Sequence, residues 1–229
     1  SIFVEDDKIH LILRHVEYTL YTSENDQKYQ SAFQGPLSYY HMHSRNELRT
    51  NNYYCRLNPD TLEIIRSTKV DTSKLDKEPL WDFVGLEDAR FTKWDNKYFL
   101  CGVRRDTTTN GQGRTELSEV IIEEDSVKEI NRNRIEVIDK NSYCEKNWMP
   151  ILDKPFHFIK WTNPTEIVKV NLEKNIMEPV YKGLITYKLP FDVRGGSSLI
   201  EWDDDSYICI THEVDFTLKN QNGWKNADY

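Results

Sequence analysis

The stretch Ala89-Arg90-Phe91-Thr92-Lys93-Trp94-Asp95-Asn96-Lys97-Tyr98-Phe99-Leu100-Cys101-Gly102-Val103-Arg104 decides the fold. Apolar, aromatic and β-branched residues lie on both sides of the polar turn Trp94-Asp95-Asn96-Lys97, which reads as strand, tight turn, strand. The pattern occurs three more times. Ile2-Phe3-Val4 runs through Glu5-Asp6-Asp7-Lys8 into residues 9–14. Met149-Pro150-Ile151-Leu152 runs through Asp153-Lys154-Pro155 into residues 156–161, and Ser198-Leu199-Ile200 through Trp202-Asp203-Asp204-Asp205 into residues 207–211.

In three units a second hairpin follows. Tyr53-Tyr54-Cys55-Arg56-Leu57 faces Leu62-Glu63-Ile64-Ile65 across Asn58-Pro59-Asp60. Glu119-Val120-Ile121-Ile122 faces Val127-Lys128-Glu129-Ile130, and residues 165–170 face Ile176-Met177-Glu178-Pro179-Val180. Matching strand starts at Tyr98, Phe156 and Tyr207 stand 58 and 51 residues apart. Four strands in roughly 40–50 residues is the period of a β-propeller blade. A two-sheet sandwich also shows short strands at regular spacing but does not repeat a four-strand unit. The expectation is therefore an all-β fold, a β-propeller, as one domain over residues 1–229, with units at about 1–70, 81–140, 143–185 and 194–229. Residues 17–52, with Gly35-Pro36, read as a polar, Tyr-rich insertion; residues 68–80 are the nearest approach to a helix, weakened by Pro79. The fourth unit stops after its first hairpin, near Ala227-Asp228-Tyr229, so the expectation is also of a fragment whose C-terminal part is missing.

Composition narrows the class. Thirteen Tyr, nine Phe and six Trp in 229 residues exclude a disordered chain. A net charge of −8 argues against nucleic acid, whose phosphates demand a basic face. No apolar run approaches the ~20 residues of a membrane span, and the opening residues Ser-Ile-Phe-Val-Glu-Asp-Asp are not a signal peptide. Cys55, Cys101, Cys144 and Cys209 lie far apart with no CxxC pair, so no zinc site or other metal is expected, and a cytoplasmic location is.

Polar residues recur at one place in the units. The second opens Gly85-Leu86-Glu87-Asp88-Ala89-Arg90, the third Glu145-Lys146-Asn147-Trp148-Met149-Pro150, the fourth Arg194-Gly195-Gly196-Ser197-Ser198. Partner strands end in Val103-Arg104-Arg105-Asp106, Lys160-Trp161-Thr162-Asn163 and Thr211-His212-Glu213-Val214-Asp215, and the first unit adds Arg14-His15-Val16-Glu17-Tyr18. Channel-facing polar groups cost free energy unless solvated or used. Each has an architectural alternative: Glu87, Asp88 and Arg90 as a salt bridge between blades, Arg104 and Arg105 as solvated surface, Trp148 and Trp161 as core. Recurrence favours a shared pocket in which Arg and Lys grip an anion, Trp and Tyr stack on a sugar, and a carboxyl held near other acids donates a proton.

Residues 85–90 resemble the G-x-E-D-P-R signature of the five-bladed propeller β-mannoside phosphorylases, glycoside hydrolase family 130, and of related β-1,2-mannosyltransferases; Ala89 replaces the usual proline. Arg104-Arg105-Asp106, Glu145–Pro150, Gly195-Gly196-Ser197 and His212-Glu213 are similar to propeller domains found beside glycosyltransferase modules in bacterial and large-virus proteins. The resemblance implies a five-bladed propeller acting on a mannoside-type glycosidic bond. It makes Asp88 the proton donor, with Glu87 orienting it or binding a sugar hydroxyl. Arg90 maps by motif. By position, Arg104, Arg105, Lys146, Arg194 and His212 form the anion set, and Asp106, Glu145, Asn147, Trp148 and Glu213 complete the substrate-binding list. No cofactor is implied; inorganic phosphate or a sugar phosphate is the co-substrate, and a fused or associated glycosyltransferase the partner. Inverting hydrolysis needs a second carboxylate ~6.5–9.5 Å away, for which Glu145 and Glu213 are candidates. A non-catalytic glycan- or partner-binding propeller is the other class.

Overall fold

The computed structural model describes residues 1–34, 37–43, 46–184, 189, 193–213, 215–218 and 225–228. The first meander begins with β1 (Ile2–Glu5) and β2 (Lys8–Val16), whose turn places Asp6 and Asp7 at φ 47° and 58°. Such left-handed angles suit Asp and Asn in a two-residue hairpin. The 17–47 segment is not a bare loop. It holds β3 (Tyr18–Thr19), β4 (Ser23–Glu24), β5 (Gln27–Lys28), β6 (Ala32–Gln34) and β7 (Ser38–His41), arranged as a three-stranded sheet β3-β7-β6 and a hairpin β4-β5. Gly35-Pro36 lies outside the described residues.

Strand β8 (Leu48–Leu57) starts earlier than the polar Thr50-Asn51-Asn52 suggests, because all three side chains are buried. It pairs with β9 (Ile64–Asp71), so residues 68–71 are strand rather than helix. The short β10 (Phe83–Val84) runs parallel to β8. The second meander is β11 (Leu86–Trp94), β12 (Lys97–Arg104), β13 (Arg114–Ile122) and β14 (Val127–Arg134). A two-residue parallel pairing of β14 with β9 joins the first two meanders into one path, β1-β2-β8-β9-β14-β13-β12-β11. This sheet curls nearly closed, like a barrel: its end strands meet where Lys93 pairs with Glu5 and the Phe91 amide donates to Ser1 Oγ.

The third meander is β15 (Met149–Pro150), β16 (His157–Thr162), β17 (Thr165–Asn171) and β18 (Ile176–Lys182). Beyond it, β19 (Val193–Gly195) pairs with β22 (Thr211–Glu213), β20 (Ile200–Asp203) with β21 (Ser206–Ile208), and β23 (Asp215–Leu218) with β24 (Lys225–Asp228). Residues 185–188 and 190–192, and residues 214, 219–224 and 229 of the expected fourth unit, lie outside the described residues. The described part is all-β, without a helix.

Alternation along β12 explains the core. Leu100 turns to one side, against Ile12, Tyr54 and Val70 of the first meander. Phe99 and Cys101 turn to the other, against Trp148, Phe158 and Val168. The second meander is thus buried on both faces, whereas a two-sheet sandwich covers one face of each sheet. The third meander continues the series, its Met149, Ile151 and Ile159 packing on Leu199.

Candidate functional site

Strand β11 carries an irregularity that re-aims its side chains. Glu87 pairs with Val103 and Arg90 with Cys101, so Asp88 and Ala89 together stand against Gly102. Asp88 takes φ 52° there. Successive residues of a regular strand point to opposite faces; the bulge instead brings two consecutive carboxylates to one partner. Arg14 Nη1 donates to Asp88 Oδ1 at 2.6 Å, and Arg14 Nη2 lies 3.4 Å from Glu87 Oε2. The same guanidinium donates to Tyr18 Oη at 2.7 Å and to Thr50 Oγ1 at 3.3 Å. Gly102 is required opposite the bulge, because a Cβ there would stand 2.5 Å from the Glu87 carbonyl oxygen and 2.9 Å from Leu86 Cγ.

The two carboxyls differ in environment. Glu87 is 9% exposed, and its Oε1 has no hydrogen-bond partner among the described residues. Burial pushes its pKa above the ordinary 4.5, against the pull of Arg14, with Asp88 adding to the rise. The Asp88 side chain is 35% exposed and closes the salt bridge with Arg14. Burial also raises the Tyr18 hydroxyl to about 12, so it stays protonated.

Arg14, Tyr18, Glu87 and Asp88 line a cleft of about 1310 Å³, together with Arg90, Arg105, Lys146, Asn147, Arg194 and His212. One wall is apolar and aromatic, from Leu20, Tyr21, Tyr39 and Phe83. The Arg105 guanidinium lies 4.7 Å over Phe83 and donates to Gly111 O and Tyr143 Oη. Burial, then Arg194 and Arg90, lowers the His212 pKa below 6.5. Arg90 is buried; its Nε and Nη2 donate to Gly196 O and Gly195 O, each at 2.9 Å, fastening residues 195–196 to β11.

Five of the sequence-derived site residues are placed elsewhere. Arg104 is 3% exposed, with Glu116 Oε2 at 2.8 Å from its Nε and Asp106 Oδ2 at 3.3 Å from its Nη1. Arg104 and Asp106 line a second cavity, between the first two meanders. Both close the strand end toward the neighbouring sheet, which position in the repeat does not reveal. Glu145 is buried against Lys160 at 3.3 Å and accepts from Trp148 Nε1. Trp148 is a core residue, not a stacking platform, because β15 turns it onto Phe158. Glu213 is exposed opposite Val193 and does not line the cleft, and Trp161 is 47% exposed away from it. Ser1, Thr50 and the cleft residues of the 19–47 segment had no motif to mark them; Arg14 and Tyr18 did, through their place in the first unit.

Among the described residues no group of His, Cys, Asp and Glu is arranged to hold a metal, and no helix is long and apolar enough to cross a membrane. Comparison of the chain with family models, with curated proteins and with solved structures gives no match.

Proposed function

We propose that the chain is a carbohydrate-active domain of five-bladed propeller type, making or breaking a mannoside-type glycosidic bond with phosphate, a sugar phosphate or a nucleotide sugar as co-substrate. One observation carries the reading: two consecutive carboxyls in unlike environments converge on Arg14 within a cleft also lined by Arg105, Lys146, Arg194 and His212. Neighbouring acids in unlike surroundings are a usual setting for one of them to act as proton donor. Asp88, the more exposed, touches the glycosidic oxygen and gives it a proton, while Glu87 orients Asp88 or binds a sugar hydroxyl. The cations hold the phosphate. Its oxygen bonds to the anomeric carbon as the old carbon–oxygen bond breaks, and the leaving oxygen takes the Asp88 proton. Family resemblance at residues 85–90 supports the substrate class.

The reading brings a cytoplasmic location with it, supported by four free cysteines, and a fused or associated glycosyltransferase as partner. The test is phosphorolysis of β-mannosides by the wild type and by Asp88→Asn. Turnover is expected to fall by about 100-fold or more, with phosphate affinity and melting temperature nearly unchanged. An Asp88→Asn protein that turns over normally refutes the assignment. A second reading, a non-catalytic glycan-binding domain, draws on the closed Asp88–Arg14 contact at 2.6 Å. It predicts that wild type binds mannosides, gives no turnover with any co-substrate, and binds no more weakly after Asp88→Asn.

A further inference from the structure

The cleft around Asp88 has two unlike walls. At its charged end Arg14, Arg90, Arg105, Lys146 and Arg194 outnumber the carboxylates, which among the described residues are Glu87 and Asp88 alone. Arg14 bridges both carboxylates, while Arg90 donates to backbone carbonyls and Arg105 to a carbonyl and a phenol. Lys146 is exposed and has no hydrogen-bond or ion-pair partner among the described residues. Positive charge is in excess there, so an anion would gain charge-assisted hydrogen bonds without displacing an internal ion pair.

Another part of the lining is apolar and open to solvent. Ile2 stands beside Leu11 in the β1-β2 register, and Leu13 follows on the same face. Leu20 and Tyr21 line the same cleft, as does Ile210, two residues before His212. Ile2, Leu13, Leu20, Tyr21 and Ile210 are 40–72% exposed. Single exposed apolar residues are ordinary; five around one cleft mark a surface that binds something. This surface adjoins the charged end. Leu13 precedes Arg14 in β2, and the Ile210 carbonyl accepts from the amides of Gly196 and Ser197, beside the carbonyls that Arg90 holds. At about 1310 Å³ the cleft exceeds the roughly 300–1,000 Å³ of small-molecule sites, which leaves room beyond a sugar and a phosphate.

We infer that the cleft takes an anionic amphiphile, a phosphate group esterified to an extended apolar chain. The phosphate sits at the cations around Lys146, and the chain lies along Leu13, Leu11, Ile2 and Ile210. A second copy of the chain or an anionic bilayer would bring negative charge against a body at −8, so charge favours the single amphiphile. The inference rests on the proposed function only in taking these cations as an anion site, and it narrows the sugar phosphate named there to one carrying such a chain. Calorimetric titration below micelle-forming concentration tests it with octyl phosphate, methyl phosphate and octyl β-D-glucoside. Each methylene laid on an apolar wall is worth up to about fourfold in affinity, so octyl phosphate should bind at least tenfold more tightly than methyl phosphate. Leu13→Ser combined with Ile210→Ser, both at exposed positions, should abolish that advantage and leave methyl phosphate unaffected. Lys146→Gln should weaken both phosphates alike. Equal affinities for the two phosphates would overturn the inference, as would octyl glucoside binding as tightly as octyl phosphate. A ligand-free dimer that the Leu13→Ser, Ile210→Ser protein fails to form would overturn it too, by assigning the apolar surface to a second copy. Octyl phosphate binding without turnover of any β-mannoside would remove the proposed reaction and leave this inference standing; turnover with no preference for octyl over methyl phosphate would do the reverse.

Discussion

At φ 52° Asp88 occupies the left-handed region that Asp and Asn tolerate better than most residues, so Asn is the substitution that removes the charge without adding backbone strain. Glu87 allows a sharper test, because its environment makes a signed statement about stability. Burial raises its folded pKa above the ordinary 4.5, so the folded state binds the proton more tightly than the unfolded one. Stability contributed by the neutral carboxyl is then complete below pH 4.5 and is lost as pH climbs through the folded value. Glu87→Gln keeps the shape and removes the titration. Urea denaturation from acid to neutral pH should show the wild type losing ground to Glu87→Gln above pH 4.5, with a constant difference below it. Parallel profiles across the whole range would mean that the Glu87 carboxyl is solvated after all. The adjacency of Glu87 and Asp88 was legible in the sequence; their different burial was not, since Gly85-Leu86-Glu87-Asp88-Ala89-Arg90 says nothing of what packs over each side chain.

Among the elements, the bulge of β11 does most to shape the cleft, and it rests on Gly102 across the ladder. Gly102→Ala would drive a methyl group against the Glu87 carbonyl, and relief requires the bulge to shift. A loss of about 1–3 kcal/mol is expected from such overpacking, measured by chemical denaturation. Turnover or phosphate binding should suffer beyond that, because Glu87 and Asp88 move off Arg14; an unaffected site would show that the bulge does not set their aim. Arg90 supports a second element-scale test. Arg90→Met removes the donors to Gly195 O and Gly196 O. Hydrogen exchange should then quicken in residues 193–213 while β11 to β14 keep their protection. Uniform quickening would assign Arg90 to the global core instead. The main hairpins were readable from alternation and turn chemistry, most clearly at β11 and β12, whose strands set apolar side chains into the core. Strands β3 to β7 were not, since they are short, polar and Tyr-rich; three of them pack a ring on Phe83, Tyr39 at 5.0 Å between ring centroids. Arg104 was misread for a related reason: a repeat position fixes height along a strand, not the sheet that the side chain faces.

Across the whole molecule, sheets packed in series bring Arg14, Asp88, Lys146 and His212 to one cleft although they are distant in the chain. The body is acidic at −8, so any anion binding must come from the local gathering of cations and must weaken with added salt. The pH dependence separates this from general attraction to a basic surface. Burial and the neighbouring Arg194 and Arg90 keep His212 neutral near pH 7, and it gains its proton only below the ordinary 6.5, with Asp88 pulling the other way and Lys146 adding to the depression. Sulfate is the suitable probe because its charge is constant across this range. Its affinity should rise as pH falls below 6.5, by about twofold to fivefold, the worth of one partly exposed ion pair. His212→Gln should flatten that rise and leave the affinity at pH 8 unchanged, whereas Lys146→Gln should lower affinity at every pH. A wild-type sulfate affinity that ignores pH would place the anion away from His212 and leave the cations of the cleft without a common ligand.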